Sequence, residues 1–235
     1  MNVSLIIPAY NETDRILPSL ARIAEYLRGN NEPWEVIVVD DGSRDGTASS
    51  VRNAAKANGL PVRVIELPEN RGKGAAVRAG VLESRGDWVL ITDADLSTPI
   101  EEWEKLRDSG ARVAIGSRAL DESLIRRKQP LYRRTMGKTF NRFVQALSVR
   151  GIRDTQCGFK WIEGNLAREL FARSRIDRFA YDVEILSMAR DRGIEIAEVP
   201  VVWVNSPQSK VSVVSDSLRM LRDLVRIRIA SSRNR

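Results

Sequence analysis

Two aspartates one residue apart, Asp93 and Asp95, close the apolar run Trp88-Val89-Leu90-Ile91-Thr92-Asp93-Ala94-Asp95-Leu96. Carboxylates this close repel each other unless a cation offsets them. Their hard oxygens suit magnesium or manganese, which bind through one or two carboxylates together with substrate phosphates. Short acid pairs also start helices, with Asp93 as the cap and Asp95 solvated. A second pair, Asp40 and Asp41, ends the run from Trp34 to Val39. Two such pairs at the carboxyl ends of strands in one parallel sheet converge on a single crevice, the place where open α/β sheets bind ligands. An acid there accepts from a base N–H or a ribose hydroxyl.

The residues that are missing narrow the chemistry further. The 235-residue chain has no histidine and one cysteine, Cys157. Imidazole triads, histidine metal sites and thiolate cages are therefore excluded, as is an internal disulfide. Catalysis must use carboxylates, arginines and lysines, with or without a metal. Gly72-Lys73-Gly74 opens a helix after a strand, yet Val77 replaces the third glycine of a dinucleotide fingerprint and the G-K-[ST] ending of a Walker loop is absent. The stretch reads as a tight turn that brings Lys73 near phosphate.

These residues need a scaffold. Apolar runs at Val3–Pro8, Trp34–Val39, Val62–Leu67 and Trp88–Leu96 alternate with helical periodicity through Ile16, Leu20, Ile23 and Leu27, through Val51 and Ala55 behind an Asp45 or Thr47 cap, and through the alanine-rich stretch up to Arg85. That alternation predicts a mostly parallel sheet covered by helices. A helix over residues 99–109, a short strand at Val113–Ile115, a helix over Val183–Arg192 and a strand over Ile196–Val204 follow. In the last thirty residues Leu218, Leu221, Leu224 and Val225 recur at helical spacing among Arg219, Arg222, Arg226 and Arg228. The spacing predicts a basic amphipathic helix that either packs on the body or lies on a membrane surface.

The net charge of +7 is unevenly placed. Residues 118–153 carry +8 and residues 206–235 carry +5, which leaves −6 over the rest. The basic segments call for anionic partners. Nucleic acid is disfavoured, because the arginines are not interleaved with stacking aromatics. No signal peptide and no apolar run of about 20 residues is visible, so the expected location is cytoplasmic, peripheral at the membrane face.

Four blocks, Ile6-Ile7-Pro8-Ala9-Tyr10-Asn11-Glu12, Val38-Val39-Asp40-Asp41-Gly42-Ser43, Asn70-Arg71-Gly72-Lys73-Gly74 and Asp93-Ala94-Asp95, resemble in this order the family 2 inverting glycosyltransferases of the GT-A fold. Three more, Asp154–Lys160, Phe179–Glu184 and Glu198–Trp203, resemble the dolichyl-phosphate β-glucosyltransferases and the related mannose synthases. The resemblance implies an α/β, Rossmann-like GT-A domain over residues 1–205, with a nucleotide-sugar half (1–117), an acceptor half (118–205) and a tail (206–235). It implies that Pro8, Tyr10, Glu12 and Asp40 hold the nucleoside, beside the binding candidate Asp41 of the second acid pair, and that Asp93 and Asp95 meet Mg2+ or Mn2+ and the diphosphate. Arg118 and Arg133 match arginines near the phosphates, and Arg134 extends that basic segment. In the mannose synthases a glutamine stands two residues after the second acid; here that residue is Ser97.

The implied reaction moves a hexose from a nucleotide-sugar, UDP-glucose ahead of GDP-mannose, onto a polyprenyl or dolichyl phosphate. A phosphate acceptor is already a nucleophile near neutral pH, its second pKa being about 6 by analogy with phosphorylated side chains. Asp95 and Arg118 are then the groups nearest the chemistry. For a hydroxyl acceptor, Asp182 is the candidate base.

Overall fold

The computed structural model describes residues 1–127, 144, 145, 149, 151–204 and 213–233. Strands β1 (Val3–Ala9), β2 (Trp34–Asp40), β3 (Val62–Glu66), β4 (Trp88–Ile91), β5 (Val113–Ser117), β7 (Lys160–Glu163) and β8 (Ile196–Pro200) form one sheet in the order β3-β2-β1-β4-β7-β5-β8. The pairs β1–β2, β2–β3, β1–β4 and β5–β8 are parallel, whereas β7 runs antiparallel to both β4 and β5. A second sheet pairs β6 (Ile125–Arg127) with β9 (Trp203–Val204).

Strand β1 shows why the sheet lies in the middle. Its Ile6 packs into one core with Ile37, Val39, Ala76 and Val77, while Leu5 and Ile7 pack into the other with Ile16, Leu20, Ile23 and Trp103. The period of two puts apolar side chains on both faces, so both must be covered. Helices α1 (Thr13–Arg28), α2 (Thr47–Asn58) and α4 (Trp103–Asp108) cover one face. Helices α3 (Lys73–Leu82), α5 (Gly164–Arg173), α6 (Tyr181–Asp191) and α7 (Val213–Arg233) cover the other. Because β1 has β2 on one side and β4 on the other, the chain reverses its strand order there and opens a crevice at the carboxyl ends.

The structure departs from the sequence expectations in three places. β4 ends at Ile91, so both acids lie beyond the strand, on a loop whose first N–H, that of Thr92, donates to Ile6 O at 3.1 Å. The expected strand over Ile196–Val204 divides after Pro200, and its second part crosses to the small sheet. At α2, Thr47 is the first helical residue, and the Asp45 carboxylate reaches over Gly46 to accept from its N–H at 3.0 Å.

The tail helix α7 has two apolar faces. Leu224 and Ile227 are buried in the core, while Leu221, Val225 and Ile229 are exposed at i, i+4 and i+8, beside the exposed Arg222 and Arg226. Packing on the body and an outward apolar stripe therefore coexist. Among the described residues no helix is long and apolar enough to cross a membrane. Arg133 and Arg134 lie outside the described residues.

Candidate active site

Four loops meet at the carboxyl ends of β1, β2, β4 and β5. After β1, Pro8 pairs with Val39 in the sheet and the chain turns through Tyr10, Asn11 and Glu12. Asn11 has a positive φ of 52° and spans to the next loop, accepting from Arg44 N–H at 2.8 Å while its own N–H donates to Ser43 Oγ at 2.8 Å. After β2, the buried Asp40 accepts from Ser43 N–H at 3.0 Å. The equally buried Asp41 accepts from Arg71 N–H at 2.9 Å, Gly72 N–H at 2.8 Å and Asn70 Nδ2 at 2.9 Å. Burial pushes the Asp41 pKa up against the pull of those backbone donors. Asp41 thus clasps the turn before α3, and in this structure its oxygens serve that loop.

The clasp sets Lys73. As the first residue of α3 it places Nζ 2.5 Å from Asp93 Oδ1. Gly72 and Gly74 let this helix start press against residues 176–181, since a Cβ on Gly74 would stand 2.5 Å from Ile176 O. Burial opposes the Lys73 ammonium, but Asp93, Asp182 and Asp95 outweigh it and its pKa is raised. For Asp93, burial raises the carboxyl, and Lys73, Lys160 and Arg118 together bring it below its ordinary value. Asp93 nevertheless keeps 38% of its side chain open to solvent.

Asp95 is held from two sides. Ser97 N–H donates to its Oδ1 at 3.0 Å, and Arg15 Nη1 stands 3.4 Å from its Oδ2. Arg15 also clamps Glu12, with Nε 2.6 Å from Oε2. One arginine therefore ties the β1 loop to the β4 loop. Directly after the acids, Leu96 has a positive φ of 45°. It and Asn11 are the two non-glycine residues with positive φ among those described, and both sit in the loops that hold the site acids, where backbone strain tends to be stored.

Beneath Asp93 lies a charged floor that no single motif announced. Lys160, on β7, is 1% exposed, donates to Cys157 O at 2.5 Å and stands 2.5 Å from Oδ1 of the buried Asp182, an ion pair off hydrogen-bond angle. Arg118, past β5, binds Asp154 through Nε at 2.7 Å and Nη2 at 2.8 Å, and its guanidinium lies over Trp203 at 5.4 Å. Asp154 is itself oriented by Glu198, which accepts from Asp154 N–H at 2.7 Å. Gly158 backs Asp93 closely: a Cβ there would stand 2.7 Å from the carboxyl carbon. Burial pushes the Cys157 thiol up to about 11, which keeps it protonated and inert.

The structure therefore brings Pro8, Tyr10, Glu12, Asp40, Asp41, Lys73, Asp93, Asp95, Arg118 and Asp182 to one edge of the sheet. Sequence reasoning did not single out Arg15, Asp154, Gly158, Lys160, Glu198 or Trp203. Five of these lie inside the two blocks Asp154–Lys160 and Glu198–Trp203, and their roles appear once β7 is inserted between β4 and β5.

A mostly parallel sheet with acid-bearing loops at its switch point and a cationic floor is the architecture of the GT-A class of glycosyltransferases. The family-wide pattern of "Glycosyl transferase family 2" matches residues 4–171, and the chain belongs to that family. It is 40% identical over 239 residues to dolichyl-phosphate beta-glucosyltransferase ALG5C of Trichomonas vaginalis, covering 96% of this chain and 70% of that protein. To the dolichyl-phosphate beta-glucosyltransferase of Homo sapiens it is 37% identical over 242 residues, covering 97% and 75%. Among solved structures, mannosyl-3-phosphoglycerate synthase from Rubrobacter xylanophilus superposes with a TM-score of 0.70 at 21% identity, over 99% of this chain and 74% of that one. Glucosyl-3-phosphoglycerate synthase from Mycobacterium tuberculosis, in complex with Mn2+, UDP and glucosyl-3-phosphoglycerate, superposes at 0.69 and 19% identity, over 98% and 79%. Both share the fold.

Two outcomes follow from the floor. Burial raises the Asp154 carboxyl, but Arg118 outweighs it and the net shift is downward. Asp154 thus contributes stability that is full above its unfolded pKa of about 3.9 and is lost as pH falls through the lower folded value. Asp154→Asn takes the charge partner from the half-buried Arg118, so urea unfolding at pH 7 should show a loss of about 2 kcal/mol. The gap between wild type and variant should narrow as the pH falls below about 4; a gap independent of pH refutes the assignment. In Gly158→Ala the new methyl displaces Asp93, and kcat should fall about a hundredfold with an unchanged melting temperature.

Proposed function

We propose that this glycosyltransferase moves glucose from UDP-glucose to dolichyl phosphate or a related polyprenyl phosphate, with inversion at the anomeric carbon, and that it depends on a divalent metal. The observation that carries the reading is sequence identity of 35–40% over 96–97% of the chain with proteins named dolichyl-phosphate beta-glucosyltransferase. UDP and Mn2+ accompany the fold in the Mycobacterium tuberculosis enzyme.

The residues at the β4 loop fit such an ion. Asp93 and Asp95 offer hard oxygens at a partly open loop, and among the described residues no group of three or more His, Cys, Asp or Glu is placed to close a protein-only cage. Mg2+ or Mn2+ would then share its shell with diphosphate oxygens and water. When bound, the ion stabilises charge on the departing diphosphate. The chain supplies the rest. In the donor half, residues 1–117, Pro8, Tyr10, Glu12, Asp40 and Asp41 form the nucleoside side of the crevice, and Lys73 offers an ammonium to the phosphates. Arg118 spends two of its five N–H donors on Asp154 and keeps three for phosphate oxygens. Residues 118–205 take the acceptor, with Arg133 and Arg134 holding its phosphate.

The state of Asp182 favours a phosphate acceptor over a hydroxyl. A general base must reach the proton it removes, and Asp182 is 3% exposed and paired with Lys160. A phosphate dianion needs no such base. The exposed stripe Leu221, Val225 and Ile229 on α7, flanked by arginines, suits the surface of an anionic bilayer. The enzyme would then work peripherally, at the cytoplasmic face.

Purified protein incubated with labelled UDP-glucose, dolichyl phosphate and Mn2+ should yield lipid-linked glucose. Chelation by EDTA or Asp95→Asn should lower the rate at least about a hundredfold. Transfer to 3-phosphoglycerate but not to the lipid would overturn the acceptor, and full activity in EDTA would overturn the metal. In a separate measurement, the chain should sediment with phosphatidylglycerol vesicles, and the triple change Leu221→Ser, Val225→Ser, Ile229→Ser should release it. Sedimentation unaffected by that change would remove the tail from the reading.

A further inference from the structure

Three cations act on Asp93, and they differ in what holds them. Lys160 is buried in mid-sheet and bound to Asp182 and Cys157 O. Arg118 is fixed by two hydrogen bonds to Asp154. Neither can leave without stranding a buried acid, which costs several kcal/mol. Lys73 is different: it starts a helix, 23% of its side chain is exposed, and its ion pair is with Asp93 itself, 2.5 Å away. Gly158 closes one side of the Asp93 carboxylate, and Lys73 occupies another. A second cation approaching Asp93 therefore meets the Lys73 ammonium already in contact, and like charges at such distances repel strongly.

We propose that Lys73 is a resident counter-ion of Asp93 that yields its place when a nucleoside diphosphate arrives, so that metal and donor bind as a coupled pair and the metal does not load alone. The inference rests on the reading of Asp93 and Asp95 as metal-facing carboxylates. Without a diphosphate, a metal at Asp93 displaces Lys73 into a position with no anion to meet. With a diphosphate present, the ammonium exchanges a carboxylate for a phosphate oxygen, and the long flexible stem of lysine allows the move. The start of a helix favours phosphate there as well. Coupling of this kind is reciprocal, so metal strengthens nucleotide binding by the factor by which nucleotide strengthens metal binding.

The test measures free Mn2+ by electron paramagnetic resonance in the presence of the folded chain, with and without UDP, and requires no turnover. Wild type should bind Mn2+ weakly alone and much more tightly with UDP. Lys73→Met should bind Mn2+ alone about two- to fivefold more tightly, the size of a partly exposed ion pair. In the same variant the enhancement by UDP should shrink about tenfold, the worth of a charged phosphate contact. Lys73→Gln, measured in parallel, should do the same and guards against a packing defect of the methionine; Lys73→Arg should stay close to wild type. Unchanged or weaker Mn2+ binding by both neutral variants without UDP overturns the resident counter-ion, as does an intact UDP enhancement. If wild type binds no Mn2+ even with UDP, the metal reading itself fails and the proposal falls with it.

Discussion

The Asp93 carboxylate lies where Lys73, Lys160 and Arg118 converge, with Gly158 packed against one side of it. Much of the sheet's carboxyl edge is arranged by what that convergence requires. Lys160 can be charged inside the protein because Asp182 stands beside it on α6, and Arg118 because Asp154 grips it from the loop before β7. Glu198 in turn fixes Asp154, and so carries the requirement to β8, at the edge of the sheet. On the other side, Asp41 positions Lys73 by closing the turn before α3. Buried charges are tolerated only when paired and hydrogen-bonded, so one carboxylate constrains residues on β7 and β8, on the helices α3 and α6, and in the loops after β2 and β5 and before β7.

The scaffold was legible because its signals are local. Short β-branched runs alternating with helical periodicity specify buried strands and covering helices, and β1, β2, β3 and β5 fall within two residues of where those runs lie. Both acid pairs come to the crevice because the carboxyl ends of parallel strands share one edge. What stayed hidden depends on pairing between distant segments. Lys160-Trp161-Ile162-Glu163 is too short and too charged to announce a central strand, and its antiparallel course between β4 and β5 is a property of the assembled sheet. The reach of the Trp88–Leu96 run was overestimated for a related reason: Ala94 and Leu96 are buried as loop residues, and burial alone does not distinguish them from strand. Periodicity on α7 offered packing or a membrane as alternatives, while the three-dimensional arrangement uses one face for packing and leaves another outward.

Lys160 illustrates a different limit. Lysine is among the residues least often buried, so nothing in its type marks it as part of a core. Its neighbours do: Cys157 and Gly158 precede it, Trp161 follows, and Trp161 stacks on Trp88 at 4.9 Å in the adjacent strand. That aromatic stack and the Ile91–Lys160 register place the ammonium under the β4 loop. The same register explains why Asp182, attractive by its position in the chain as a base, is committed to a charge partner in the folded protein.

Charge balance supplies the last constraint on the chemistry. Lys73, Lys160 and Arg118 are offset by Asp93, Asp154 and Asp182, and the Glu12–Arg15–Asp95 group beside them carries one excess negative charge. A nucleoside diphosphate brought to such an edge adds like charge, so the protein's own cations, already committed to acids, do not suffice to hold it. Either some of those pairs must be exchanged or more positive charge must come with the ligand. The two routes meet at Asp93: Lys73 can be exchanged toward the phosphate, and the oxygen it vacates suits a divalent ion. The segment 118–153 carries a net sequence charge of +8, and only its Arg118 enters this balance. On the function proposed above, donor charge is met by exchange at Asp93 and the acceptor phosphate by the positive surplus that segment carries in sequence.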